Sequence, residues 1–189
     1  MKSSFYTVLL FSILLTSCGS DDAREPLFAE EDTSSELFFS EYLEGTSFNK
    51  ALEIVNLTGS SINLTAEGYS VKKQSNGEGS WAGELLLTGS IANNEVYVIA
   101  NENATHPDIL NNASLLKAGS PMDFNGNDAI GLFKAGVLID VIGNFDDPED
   151  FGLDVTMRRK SEVIEPTTIY DPNEWDLFEI DNAEGLGSY

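Results

Sequence analysis

Asp128-Ala129-Ile130-Gly131-Leu132-Phe133-Lys134-Ala135-Gly136-Val137-Leu138-Ile139-Asp140-Val141-Ile142 holds two short apolar runs on either side of a break at Lys134-Ala135-Gly136. Runs of this length, rich in branched side chains and bounded by turn formers, read as strands. Gly136 can take the left-handed backbone that a three-residue hairpin loop requires. Asp128–Phe133 and Val137–Ile142 are therefore predicted to pair antiparallel.

The same texture spreads outward from this hairpin. Leu37–Leu43, Ala51–Asn56, Tyr69–Lys73, Glu84–Thr88, Glu95–Ala100, Val155–Lys160 and Trp175–Ile180 are further short runs separated by Gly, Asn and Asp clusters. Glu84–Thr88 and Glu95–Ala100 are predicted to be a second hairpin through Gly89-Ser90-Ile91-Ala92-Asn93-Asn94. Only Pro107–Lys117 reads as helix, of one or two turns. Many short strands with one brief helix predict an all-β sandwich. No internal repeat and no second domain boundary is visible.

Leu37-Phe38-Phe39-Ser40-Glu41-Tyr42-Leu43-Glu44-Gly45-Thr46-Ser47-Phe48-Asn49-Lys50-Ala51-Leu52-Glu53-Ile54-Val55-Asn56 resembles the opening of bacterial lamin tail domains. Phe124–Phe133 with Gly136–Gly143 is similar to the family's second signature, and Thr156–Ser161, Trp175 and Leu186-Gly187-Ser188 to its close. The resemblance implies an immunoglobulin-like β-sandwich of about seven to nine strands over residues 36–189. It also implies a binding or attachment module of the kind found beside exported nucleases and phosphatases. With the likeness running to residue 189, the chain is expected to be the module alone.

Ahead of the domain, Met1 and Lys2 carry positive charge, Phe5–Leu15 is almost unbroken in its apolarity, and Leu15-Thr16-Ser17-Cys18 follows. A charged start, a short apolar segment and small residues before a cleavage point form a secretory signal, predicted over residues 1–17. The apolar run falls short of the roughly 20 residues of a membrane span. Leu15–Cys18 resembles the lipobox of bacterial lipoproteins, which implies lipidation at Cys18, the single cysteine of the chain. Acyl chains would then hold the protein to a membrane. Ser20-Asp21-Asp22 looks like the acidic signal that takes lipoproteins to the outside of the outer membrane. Residues 18–35, acidic and poor in apolar anchors, are expected to be a solvated tether.

The formal net charge is −22, with 41% hydrophobic residues. That field repels phosphates, so nucleic acid is not an expected partner. Cationic peptides, neutral glycans, other proteins and calcium remain open as ligands, and no organic cofactor is expected.

Two acidic clusters are candidate cation sites. Asp123, Asn125, Asn127 and Asp128 place oxygen side chains around Gly126, as a hard cation requires, although the spacing departs from the EF-hand pattern. The alternative is a turn closed by Asn and Asp on their own backbone. Asp146, Asp147, Glu149 and Asp150 repel one another unless water or a cation such as calcium screens them. Phe145 and Phe151, in the same stretch, are either contact residues of a binding loop or packed on the sandwich.

Arg158 and Lys160, on one face of a strand, are a candidate anion contact, or else partners for nearby acids. His106, the sole histidine, has no nucleophile or metal pattern around it, and no nucleophile elbow or phosphate loop occurs. The chain is thus expected not to be an enzyme. The sequence points to a surface-anchored binding or adhesion module recognising a protein, peptide or glycan. An accessory subunit of an outer-membrane complex and a secreted hydrolase are the alternatives.

Overall fold

The computed structural model describes residues 33–189; the predicted signal peptide, Cys18 and most of the predicted tether lie outside the described residues. In chain order the strands are β1 (Phe38–Glu44), β2 (Lys50–Asn56), β3 (Ile62–Asn63), β4 (Tyr69–Gln74), β5 (Ala82–Leu86) and β6 (Ser90–Ile91). They continue as β7 (Glu95–Asn101), β8 (Leu115–Lys117), β9 (Ala129–Lys134), β10 (Val137–Ile142), β11 (Thr156–Arg159) and β12 (Trp175–Phe178). Two short helices, α1 (Leu64–Glu67) and α2 (Pro107–Asn112), interrupt them. No helix among the described residues is long and apolar enough to cross a membrane.

One sheet runs β12-β11-β1-β2-β7-β8, the other β10-β9-β4-β5, and β3 pairs with β6. The all-β, immunoglobulin-like sandwich expected from the sequence is the architecture observed. Alternation along the strands divides the apolar residues between two cores. Leu52, Ile54 and Ile99 of the first sheet join Val71, Ile130, Leu132 and Ile142 of the second in the main core. Ala51, Val98 and Ala100, their neighbours in sequence, lie in a second cluster with Ile109 of α2 and Ala183 and Leu186 of the C-terminal segment. Both faces of β1 and β2 are therefore buried along their whole length.

Four expectations are corrected. Glu84–Thr88 and Glu95–Ala100 do not form a hairpin: β5 pairs with β4 in one sheet and β7 with β2 in the other. The compact linker between them carries the chain across the sandwich and contributes β6 on the way. The predicted helix over Pro107–Lys117 ends at Asn112, because Ala113 is extended and Leu115–Lys117 pairs in parallel with β7. Lys134-Ala135-Gly136 is a tighter turn than expected. Lys134 and Val137 pair across it, with Ala135 and Gly136 both left-handed at φ 48° and 81°. Finally, bonds to the domain begin before Glu36. The Ser34 amide donates to the Leu57 carbonyl at 3.0 Å, and Ser35 bonds the Glu165 carboxylate, so partners distant in the chain hold residues whose composition suggested a tether.

A buried ion pair joins the two sheets. Register slips between Leu138 and Asp140 of β10, and such a bulge re-aims the side chain that follows it. The fully buried Asp140 carboxylate accepts two bonds from Arg159 Nη1, at 3.0 and 2.9 Å. It also accepts the amides of Phe39 in β1 and Thr167 in the following loop, each at 2.8 Å. Arg159 bonds Glu174 as well and lies near the rings of Phe38 and Trp175, 5.5 and 5.2 Å from their centroids. Removing one partner of such a pair strands a buried charge, at about 3–5 kcal/mol. Asp140→Ala should lose that much stability in urea titration, while Leu177→Ala, at a position 69% exposed, should stay within about 0.5 kcal/mol. A loss below about 1 kcal/mol for Asp140→Ala would remove the pair from its structural role.

Candidate functional site

An open groove of about 360 Å³ on the described surface is walled by large apolar side chains. Three separate segments build it. Leu138 comes from β10, Phe145 from the loop after it, and Thr168, Ile169 and Tyr170 from the loop before β12, while Trp81 precedes β5. Trp81 stacks on Phe145 at 4.8 Å between ring centroids, tilted by 35°, and meets Phe133 edge-on at 5.4 Å. Phe145 is still 42% exposed and Ile169 77% exposed. Gly143 gives the groove its shape: its φ is 79°, and a Cβ there would lie 2.2 Å from the Phe151 ring. Phe151 itself packs between Tyr42 and Tyr170, so of the two phenylalanines weighed from sequence, Phe145 alone faces the groove.

The first acidic cluster is closed by a lysine. Lys73 of β4 reaches Asp123 at 2.9 Å and Asp128 at 2.8 Å. The other Asp128 oxygen accepts the Asn76 amide at 2.7 Å, and the Asn125 amide adds a further bond. Asn127 ties this turn to the second cluster by donating to the Pro148 carbonyl. In the second cluster Asp146 exchanges bonds with the Gln74 side chain, and Asp147 accepts the Glu149 amide; Glu149 and Asp150 are exposed. The two acidic stretches thus share one end of the sandwich. Among the described residues no three His, Cys, Asp or Glu side chains converge as metal ligands. The positive charge that a cation would bring to Asp123 and Asp128 comes from Lys73.

Arg158 is not free for an external anion. It bonds Glu41 at 2.9 Å and Asn182 of the C-terminal segment, and stacks over Phe178 at 4.2 Å. Lys160 donates to the Asn173 carbonyl at 2.7 Å. His106 caps α2 by accepting the Asp108 amide.

Sequence reasoning missed a second feature beneath the C-terminal segment. Glu41 of β1 and Glu53 of β2 stand directly opposite one another and are 2% and 1% exposed. Like charges so placed are unfavourable. Glu53 accepts Ser40 Oγ at 2.8 Å and the Gly187 amide at 2.6 Å, while one Glu41 oxygen has no partner. Desolvation pushes Glu41 up to about 7 despite Arg158, with Glu53 adding to the rise. Desolvation also pushes Glu53 up to about 7, against its bonds to Gly187 and Ser40. Alternating Glu41-Tyr42-Leu43 and Glu53-Ile54-Val55 signals buried strands, but nothing local says that the acids' face is covered too.

The sequence model of a family described as Lamin Tail Domain matches residues 30–146. No curated protein matches the chain. The match covers the hairpin of β9 and β10 and stops before β11 and β12, whose likeness to the family's close lies outside it.

Two outcomes follow from this geometry. Both glutamates bind protons more tightly in the folded protein, so the stability they allow is full below the ordinary carboxylate range and is lost as pH rises through about 7. Asp140, raised by burial to about 6, acts in the same direction. Urea midpoints should therefore fall between pH 5 and pH 8, and Glu41→Gln with Glu53→Gln should flatten the upper part of that fall; an unchanged slope would rule out the glutamates as its source. Second, calcium at millimolar concentration should give far less than the roughly 2.7 kcal/mol of a site filled to 100 times its dissociation constant. A calcium-dependent rise in melting temperature that Asp128→Asn abolishes would show that the ion displaces Lys73.

Proposed function

The chain belongs to the lamin tail domain family, and we propose that it is a non-catalytic binding module whose ligand, a protein, peptide or glycan, enters the groove between Trp81, Phe145 and Ile169. The observation that carries this reading is the exposure of the groove's large apolar side chains in a chain that buries Phe38, Phe39, Tyr42 and Phe124 completely. Aromatic and aliphatic surface left open in a rigid concavity is what ligand sites present. The loops that supply it are anchored on both sides: Asp146 by Gln74, and the segment before Ile169 by Asp140. A preorganised groove loses little conformational freedom when it binds.

The Leu15–Cys18 tetrad supports anchoring of this module in the outer membrane through a lipid at Cys18, with the groove facing outward from the cell. The reading includes no cofactor and no catalytic step. The family supports it, as does the engagement of His106, Arg158 and Lys73 in contacts internal to the fold.

Arrays of peptides and oligosaccharides probed with the full chain test the proposal. Trp81→Ala and Phe145→Ala should each weaken binding by tenfold or more, as expected for buried aromatic anchors whose loss costs about 2 kcal/mol. The circular dichroism of both variants should stay unchanged. Binding that survives both substitutions intact would place the ligand elsewhere.

A further inference from the structure

Acids next in sequence to two of its lining residues border the groove. Phe145 is followed directly by Asp146 and Asp147, and Tyr170 by Asp171. Burial, with the Asp171 carboxylate adding to it, pushes the Tyr170 hydroxyl up to about 12. The fold does not neutralise the rim. Ion pairs among the described residues engage Lys50, Lys72, Lys73, Lys134, Arg158 and Arg159, and none of them reaches Asp146, Asp147, Glu149, Asp150 or Asp171. Lys117 and Lys160, outside those pairs, donate to the Ala118 and Asn173 carbonyls, in a chain whose formal net charge is −22.

An occupant must therefore satisfy two surfaces at once. The walls call for apolar or aromatic-stacking surface, and the rim calls for positive charge. A volume of about 360 Å³ is at the small end of ligand clefts, which suits one long side chain and its neighbours better than a polymer. Lysine and arginine combine these properties, with an alkyl stem that packs on apolar surface and a charged head that stays at the edge. Their heads are also attracted to aromatic faces. A neutral glycan gains nothing from the rim, and an acidic peptide is repelled by it.

Building on the groove reading, we infer that the ligand is a basic peptide segment. The stem of a lysine or arginine packs against Trp81, Leu138 and Ile169, and its head is held at the rim of Asp146, Asp147 and Asp171. The observation behind this is charge complementarity: acids outside any ion pair adjoin an exposed aromatic wall in the chain.

Trp81 is a built-in reporter, because the other tryptophan, Trp175, is 5% exposed and packed in the core. The full chain is titrated with a blocked Lys-Leu-Lys peptide, with the blocked Glu-Leu-Glu peptide and with cellotetraose, following tryptophan emission. Lys-Leu-Lys should give a saturable change that weakens as salt is raised from about 0.05 to about 0.5 M. The combined Asp146→Asn, Asp147→Asn and Asp171→Asn variant should bind it at least about tenfold more weakly at low salt, at an unchanged melting temperature. Equal affinity in that variant, or no response to Lys-Leu-Lys, overturns the inference. A response to cellotetraose alone overturns the ligand class while leaving the groove as the binding site. The groove itself falls only if ligands found on the arrays bind Trp81→Ala and Phe145→Ala as tightly as the unaltered chain.

Discussion

The contact of Asp140 with Arg159 sets the relation between the two sheets. Asp140 belongs to the edge strand of one sheet and Arg159 to a strand of the other. Their ion pair is closed by main-chain amides from β1 and from the loop before β12, so one carboxylate fixes three segments that are distant in sequence. An ion pair at this depth gains its worth from the hydrogen bonds around it, here lacking only at Arg159 Nε, since desolvation of both charges offsets much of their attraction. It also requires the bulge in β10, without which Asp140 would follow the strict alternation of its strand. The groove depends on the same arrangement. Leu138 precedes the bulge, and Thr168 follows the residue whose amide Asp140 binds.

The outer face of the first sheet is covered in a different manner. Ala183 and Leu186 pack with Ile109 on Val98 and Ala100, and the polar half of that face holds Glu41, Glu53 and Arg158 under the same segment. Gly185 lies so close to this cluster that a Cβ would fall 2.1 Å from Arg158 Nε. Two acids and one guanidinium leave this patch a charge short, and burial answers the deficit by holding on to protons. The C-terminal segment completes the domain at the cost of a pH-dependent seam.

The surface chemistry is divided along similar lines. Positive side chains are drawn into internal contacts, as Lys73 is by Asp123 and Asp128 and Lys134 by Glu36 and Glu67. The acids outside those ion pairs include Asp146 and Asp171, next in sequence to Phe145 and Tyr170 of the groove.

Much of the fold was legible in the sequence. Strand positions, the β9–β10 hairpin and the sandwich follow from period-two alternation and turn chemistry, which act over a few neighbouring residues. Phe145 was visible as a contact candidate for the same local reason, an aromatic side chain in an acidic loop. Tertiary structure alone decided which sheet each strand joins, as with β5 and β8, because pairing depends on register between segments far apart in the chain. It decided that Lys73, 55 residues upstream, neutralises Asp128, and that Arg159 points inward to Asp140 while Arg158 binds Glu41. It alone brought Trp81, Phe145 and Ile169 around one groove. Local propensity acts through adjacent atoms and can be read along the chain; a site drawn from three loops exists only once the sheets have packed.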